Sequence, residues 1–171
     1  MALEFDFNTL TELMSSPSWE QRRDAAEDLG LYRAPEAIPY LMRGLSDPVG
    51  AVQYASAVAL GQIGTEQVVQ PLLACLDNPN FKFPAPVLEA LGNLRVKKAI
   101  PYLIRYLRHP DPHVRGIANT SLMVTTGKAM GFHATADEAQ REAAVQKWER
   151  WWKQNEATFQ PPGRGTAPRR T

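Results

Sequence analysis

The residues of this sequence best suited to chemistry are three histidines and one cysteine: His109, His113, His133 and Cys75. Imidazole and thiolate bind zinc and related ions, and two histidines four apart on one helix can share a metal. His109 and His113 have that spacing, but Pro110 and Pro112 stand between them, where a helix cannot run undisturbed. No third ligand lies near in sequence, so no metal site is assigned. Cys75 sits among Leu72, Leu73 and Leu76, a setting in which a thiol packs as a small hydrophobe. A lone cysteine also excludes a disulfide within the chain. There is no Gly-rich phosphate loop, no Ser or Cys in the setting of an activated nucleophile, and no recurring carboxylate pair. No catalytic residue and no cofactor are assigned from the residues themselves.

Three tryptophans, Trp148, Trp151 and Trp152, could stack on a flat ligand. Their spacing favours packing instead. Trp148 and Trp152 are four apart and share a helical face with Ala144 and Val145, so the segment 137–155 is expected to be a helix covering the end of a core.

The elements that must position these residues follow from an internal period of 31 residues. Pro17, Pro48, Pro79 and Pro110 fall on it, as do Leu29, Leu60, Leu91 and Leu122. Glycine follows the leucine in three copies, at Gly30, Gly61 and Gly92. Within one copy, Ile38, Leu41, Met42 and Leu45 trace one face of a helix. Asp47 and Pro48 then force a turn, and Val52, Ser56 and Leu60 begin a second helical series that ends near Gly61 and Gly64. Two helices this short bury too little apolar surface alone, so stability belongs to stacked copies. Apolar spacings of three and four, with Pro and Gly at the boundaries, exclude a β reading.

The 171-residue chain is 44% hydrophobic, enough for one continuous core. Its first residues lack the basic and apolar blocks of a secretion signal, and no apolar run is long enough to cross a bilayer. No membrane insertion and a cytoplasmic location are the expectation. The net charge of +1 conceals an imbalance: residues 1–94 hold 5 Lys+Arg and 12 Asp+Glu, while residues 95–171 hold 14 and 6. Such separation can orient a partner during encounter.

Ile100-Pro101-Tyr102-Leu103, Asp111-Pro112-His113-Val114-Arg115 and Ala59-Leu60-Gly61 together resemble the bacterial HEAT-like repeat of phycobilin lyases, over residues 7–127. The resemblance implies an all-α fold: an α-solenoid, or α–α superhelix, of four 31-residue HEAT-like hairpins with a C-terminal cap helix. The expected repeats are 4–33, 34–64, 65–95 and 96–127, with a cap at 128–155. The HEAT-like domain is thus 4–155, and the segment 156–171, rich in Pro, Gly and Arg, is expected to be a disordered tail. The family's Asp and Arg pair survives fully only as Asp111 and Arg115, with Arg22, Gln53 and Pro84 in the Arg column elsewhere. In a regular array that Arg ties neighbouring repeats together. The His-Glu motifs of deoxyhypusine hydroxylase, a HEAT-like metalloenzyme, are absent. The cation-rich inner face of HEAT-like DNA glycosylases is missing too, which argues against nucleic acid.

Repeats of this kind serve many roles, so function must come from a site. The second helix of repeat two carries almost no charge. Tyr54 and Val58 project together there, Phe83 aligns with core positions, and Phe81 is the freer ring. Tyr54, Val58 and Phe81, extended by Ile117 and flanked by Glu89, form the candidate partner-binding surface. The function this implies is a non-catalytic protein-binding scaffold, or adaptor, using its concave face. The alternative implied by the resemblance is a phycobilin lyase subunit or chromophore-handling chaperone, with a bilin bound. Oligomeric state is not specified by the sequence.

Overall fold

A computed structural model describes residues 6–79 and 81–162, so the last nine residues of the expected tail lie outside the described residues. Among those described, the elements are all helical, and they divide into two compact units at Ala90 and Leu91. In the first unit lie α1 (Phe7–Leu13), α2 (Trp19–Tyr32), α3 (Ile38–Gly44), α4 (Gly50–Ile63), α5 (Val69–Asp77) and most of α6 (Pro84–Asn93). The second unit holds the end of α6, then α7 (Ile100–Tyr106), α8 (Pro112–Thr126) and α9 (Glu138–Asn155). None of these helices is long and apolar enough to cross a membrane.

Local chemistry sets the boundaries. Pro39 and Pro101 stand in the first turns of α3 and α7, where a missing amide proton costs nothing. Ser18, Asp111 and Asp137 cap α2, α8 and α9 by accepting backbone amides. The long helices stop in left-handed residues: Arg33, Gly64 and Arg95 keep the 31-residue spacing, whereas the fourth, Gly127, comes one residue late.

Leu29 and Leu60 are fully buried in the first unit, Leu91 and Leu122 in the second. Gly61, expected to serve a helix end, lies inside α4. A Cβ there would sit 2.8 Å from Ala90 Cβ, and one at Gly30 would sit 2.9 Å from the Ala59 backbone. These glycines let adjacent long helices approach closely, so the Leu-Gly repeat records helix contact rather than helix termination.

The Arg column has a definite task. Arg22 donates to the carbonyls of Ser16 and Pro17. Arg115 does the same to His109 and Pro110, both at 2.8 Å. Each thereby closes the turn that precedes its own helix. Arg22 also forms a bidentate pair with Asp47 of the next repeat, at 2.7 and 2.9 Å. Arg115 instead gives its remaining donors to Ala134 O, while Asp111 caps the amide of His113. Gln53 keeps one part of the pattern, donating to Asp47 O.

Burial pushes the Asp47 carboxyl up, but hydrogen bonds from Arg22 and the Val49 amide outweigh it and hold the group below its ordinary 3.8. A carboxyl depressed on folding binds fewer protons folded than unfolded, so its contribution is complete above 3.8 and lost as pH falls through the depressed value. Asp47→Asn should therefore be less stable than the parent in urea unfolding at neutral pH. The gap should narrow steadily below 3.8, and a gap independent of pH would refute the pairing.

Candidate functional site

The expected surface lies mainly in the first unit. Tyr54, on α4, is 50% exposed, and its ring meets Phe83 edge-on at 6.3 Å. Phe83 fills the space left by Gly50, where a Cβ would fall 2.5 Å from the ring. Phe83, expected in the core, is thus half-buried and forms the ledge with Tyr54. Phe81 is half-buried as well, in the loop before α6. Val58 is half-buried one turn beyond Tyr54, and Glu89 is exposed on α6. Ile117 is half-buried on α8, in the second unit, so the patch of the first unit is described without it.

The candidate ligating residues have ordinary occupations. His109 stacks on Tyr106, with ring centroids 5.8 Å apart, and its Nδ1 accepts the Asp111 amide. His113 is exposed in the first turn of α8. Among the described residues no three His, Cys, Asp or Glu come together as a metal cluster. Cys75 is half-buried, and burial raises its thiol above the ordinary value, which leaves it neutral and a poor nucleophile.

The second unit contains a groove of about 480 Å³ that the sequence reasoning missed. Pro101, Ile104 and Trp152 supply its apolar lining. Arg105 and Arg108 border it from the α7 side, and Glu149, Lys153 and Glu156 from the end of α9. Arg108 bonds Glu142 at 2.7 and 2.9 Å and Glu149 at 2.7 Å, pinning α9 across this edge. That network holds the guanidinium above its usual range and Glu142 below its own. The Arg105 guanidinium lies over Tyr102 at 5.0 Å and Tyr106 at 5.5 Å. A shallower depression of about 160 Å³, bordered by Tyr106 and His109, shares Arg105 and Arg108 with the groove.

A sequence signal for this site existed. Tyr102, Arg105 and Tyr106 have the helical spacing that lays a guanidinium on aromatic rings, and Tyr40 with Arg43 repeats it at 5.1 Å in the first unit. Trp152 was read only as part of a cap. Trp148 does pack that way: it is fully buried, beside Ala144 and Val145. Trp151 and Trp152 are half-buried and meet Phe159 at 5.2 and 6.3 Å. Arg95 donates to Pro162 O at 3.0 Å. The segment 156–162, assigned to the tail from its composition, therefore packs back on the cap.

Residues 7–83 match the family model for HEAT repeats. With the recurring hairpins, this makes the chain a HEAT-like repeat protein of the all-α, α-solenoid class. It is 31% identical over 112 residues to the bilin biosynthesis protein PecE of Nostoc sp. (strain PCC 7120), covering 65% of this chain and 44% of that one. To the phycocyanobilin lyase subunit alpha of Synechococcus elongatus it is 34% identical over 107 residues, covering 57% and 39%. Among solved structures, the complex of CpcE and CpcF of phycocyanin lyase from Nostoc sp. PCC7120 superposes with a TM-score of 0.64 at 26% identity, over 71% of this chain and 53% of that one. The repeat is that of the phycobilin-lyase HEAT-like class. The chain spans less than half the length of the curated relatives it matches. These relatives overturn the expectation of a non-catalytic scaffold, since the proteins most like this chain include a lyase subunit and a lyase complex.

Proposed function

We propose that this chain is a phycobilin-lyase-type subunit, acting with a protein partner in the transfer of a bilin to an apo-phycobiliprotein. The observation that carries the reading is the shared repeat: 34% identity to a lyase subunit, together with a structural match to a two-protein lyase complex. The chain's own residues would bind and orient rather than form a bond to pigment, because its one thiol is neutral. The ledge of Tyr54 and Phe83, with Val58 and Phe81 nearby and Glu89 on its acidic flank, is the surface offered to the protein partner.

The test is reconstitution. Purified chain, phycocyanobilin and apo-phycobiliprotein are combined with and without candidate HEAT-like partner subunits, and pigment retained on the acceptor after denaturation is measured. The chain should raise the rate of covalent transfer in at least one pairing, and Cys75→Ala should transfer as fast as the parent. If no pairing depends on the chain, the reading fails; loss of transfer in a folded Cys75→Ala protein would make the thiol a participant after all.

A further inference from the structure

The groove between α7 and α9 has a composition that selects among ligands. Its volume of about 480 Å³ lies within the range of about 300–1,000 Å³ usual for small-molecule sites. Pro101, Ile104 and Trp152 offer an apolar surface, with one aromatic ring, to a flat conjugated body. The charged groups around it are not equivalent. Arg108 is matched by Glu142 and Glu149, so its role is to hold α9 against α7 and fix the width of the groove. That leaves Arg105 and Lys153 against the single carboxylate Glu156. Arg105 is held over Tyr102 and Tyr106, which reduces the conformational freedom it loses when it meets an anion. The sign also agrees with the surroundings, because residues 91–171 hold 14 Lys+Arg and 6 Asp+Glu.

We infer that this groove is a binding site for the carboxylate-bearing edge of a bilin, with Arg105 and Lys153 taking its two propionates and Trp152 and Ile104 receiving its apolar pyrrole body. The inference rests on the bilin-transfer reading and names the part of the chain that meets the pigment. Anionic carboxylates are drawn to guanidinium and ammonium groups, while the conjugated body gains by leaving water against the apolar lining. The first unit's ledge has the opposite character, with an uncharged helix beside exposed Glu89 and Glu27. Its chemistry repels propionates and suits a protein partner, so the two surfaces divide the work.

The test is a visible-absorbance titration of the full chain with phycocyanobilin and with its dimethyl ester, which lacks the two charges. The parent should bind the free acid at least tenfold more tightly than the ester. Arg105→Glu with Lys153→Glu should lose at least tenfold in affinity for the acid while its thermal midpoint and helical content stay those of the parent. Arg43→Glu reverses a charge of the same stacked geometry in the first unit and should leave the titration unchanged. Equal affinity of the parent for acid and ester overturns the inference, as does full acid binding by the folded double variant. An equal loss in Arg43→Glu would assign the effect to net charge and overturn it as well. The bilin-transfer reading is judged separately: transfer that persists in the folded double variant removes the groove but leaves the function, whereas no transfer by the parent with any partner removes the function itself.

Discussion

Trp148→Ala should lower the unfolding free energy by about 3–5 kcal/mol, the largest single loss expected in this chain. The indole is fully buried on α9 with Ala144 and Val145, and it meets Trp151 edge-on at 5.8 Å. Truncation removes the apolar surface of the largest side chain in the second unit's core and leaves a cavity that rigid helices close only in part. One detail separates packing from hydrogen bonding. Trp148 Nε1 is buried without a partner, so this donor already costs free energy in the folded state. Trp148→Phe keeps an aromatic ring and removes the orphaned donor, and it should recover more than half of the loss. Denaturation midpoints of the two variants read this directly. A Phe variant as damaged as the Ala variant would mean that the indole nitrogen has a partner in solution.

Leu60→Ala should cost about 2–5 kcal/mol by the same mechanism in the first unit. Leu60 is fully buried on α4, one residue past Ala59, whose backbone lies 2.9 Å from where a Cβ of Gly30 would be. The α2 and α4 backbones are therefore already in close approach and cannot move together to fill the hole. A loss below about half a kcal/mol in chemical denaturation would place this leucine outside the core. The spread expected for such substitutions is wide, and this site belongs at its upper end because its neighbours are short of room to relax.

The repeat was legible because its signals are local. A proline that breaks a helix and a leucine that meets the next hairpin recur at one covalent spacing, and both act within a few residues of where they stand. What stayed hidden depends on meetings that spacing does not encode. Gly61 reads as a helix end until Ala90 is seen against it. Phe81 and Phe83 differ by two positions in a loop, and only the bare backbone of Gly50 decides which ring joins Tyr54. The groove draws Ile104 and Trp152 from distant stretches, and neither helix alone marks it. Phe159 sits in a composition typical of disorder, yet it finds Trp151 and Trp152. The binary choice between scaffold and lyase was likewise beyond the residues, since the same hairpins serve both; relatives decided it.

The arginine staple also explains where this array tolerates changes in length. Because Arg22 and Arg115 each reach the carbonyls six and five residues behind them, the stretch between turn and guanidinium is gauged like a link of fixed size. An insertion or deletion inside that stretch would carry the donor past its acceptors. No such constraint acts on the far end of the long helix, and there the chain has in fact drifted: α8 runs one residue further, to Gly127, where the 31-residue frame calls for 126. Evolutionary gaps in proteins of this kind should accordingly gather after the second helix and spare the span from the turn proline to the arginine position.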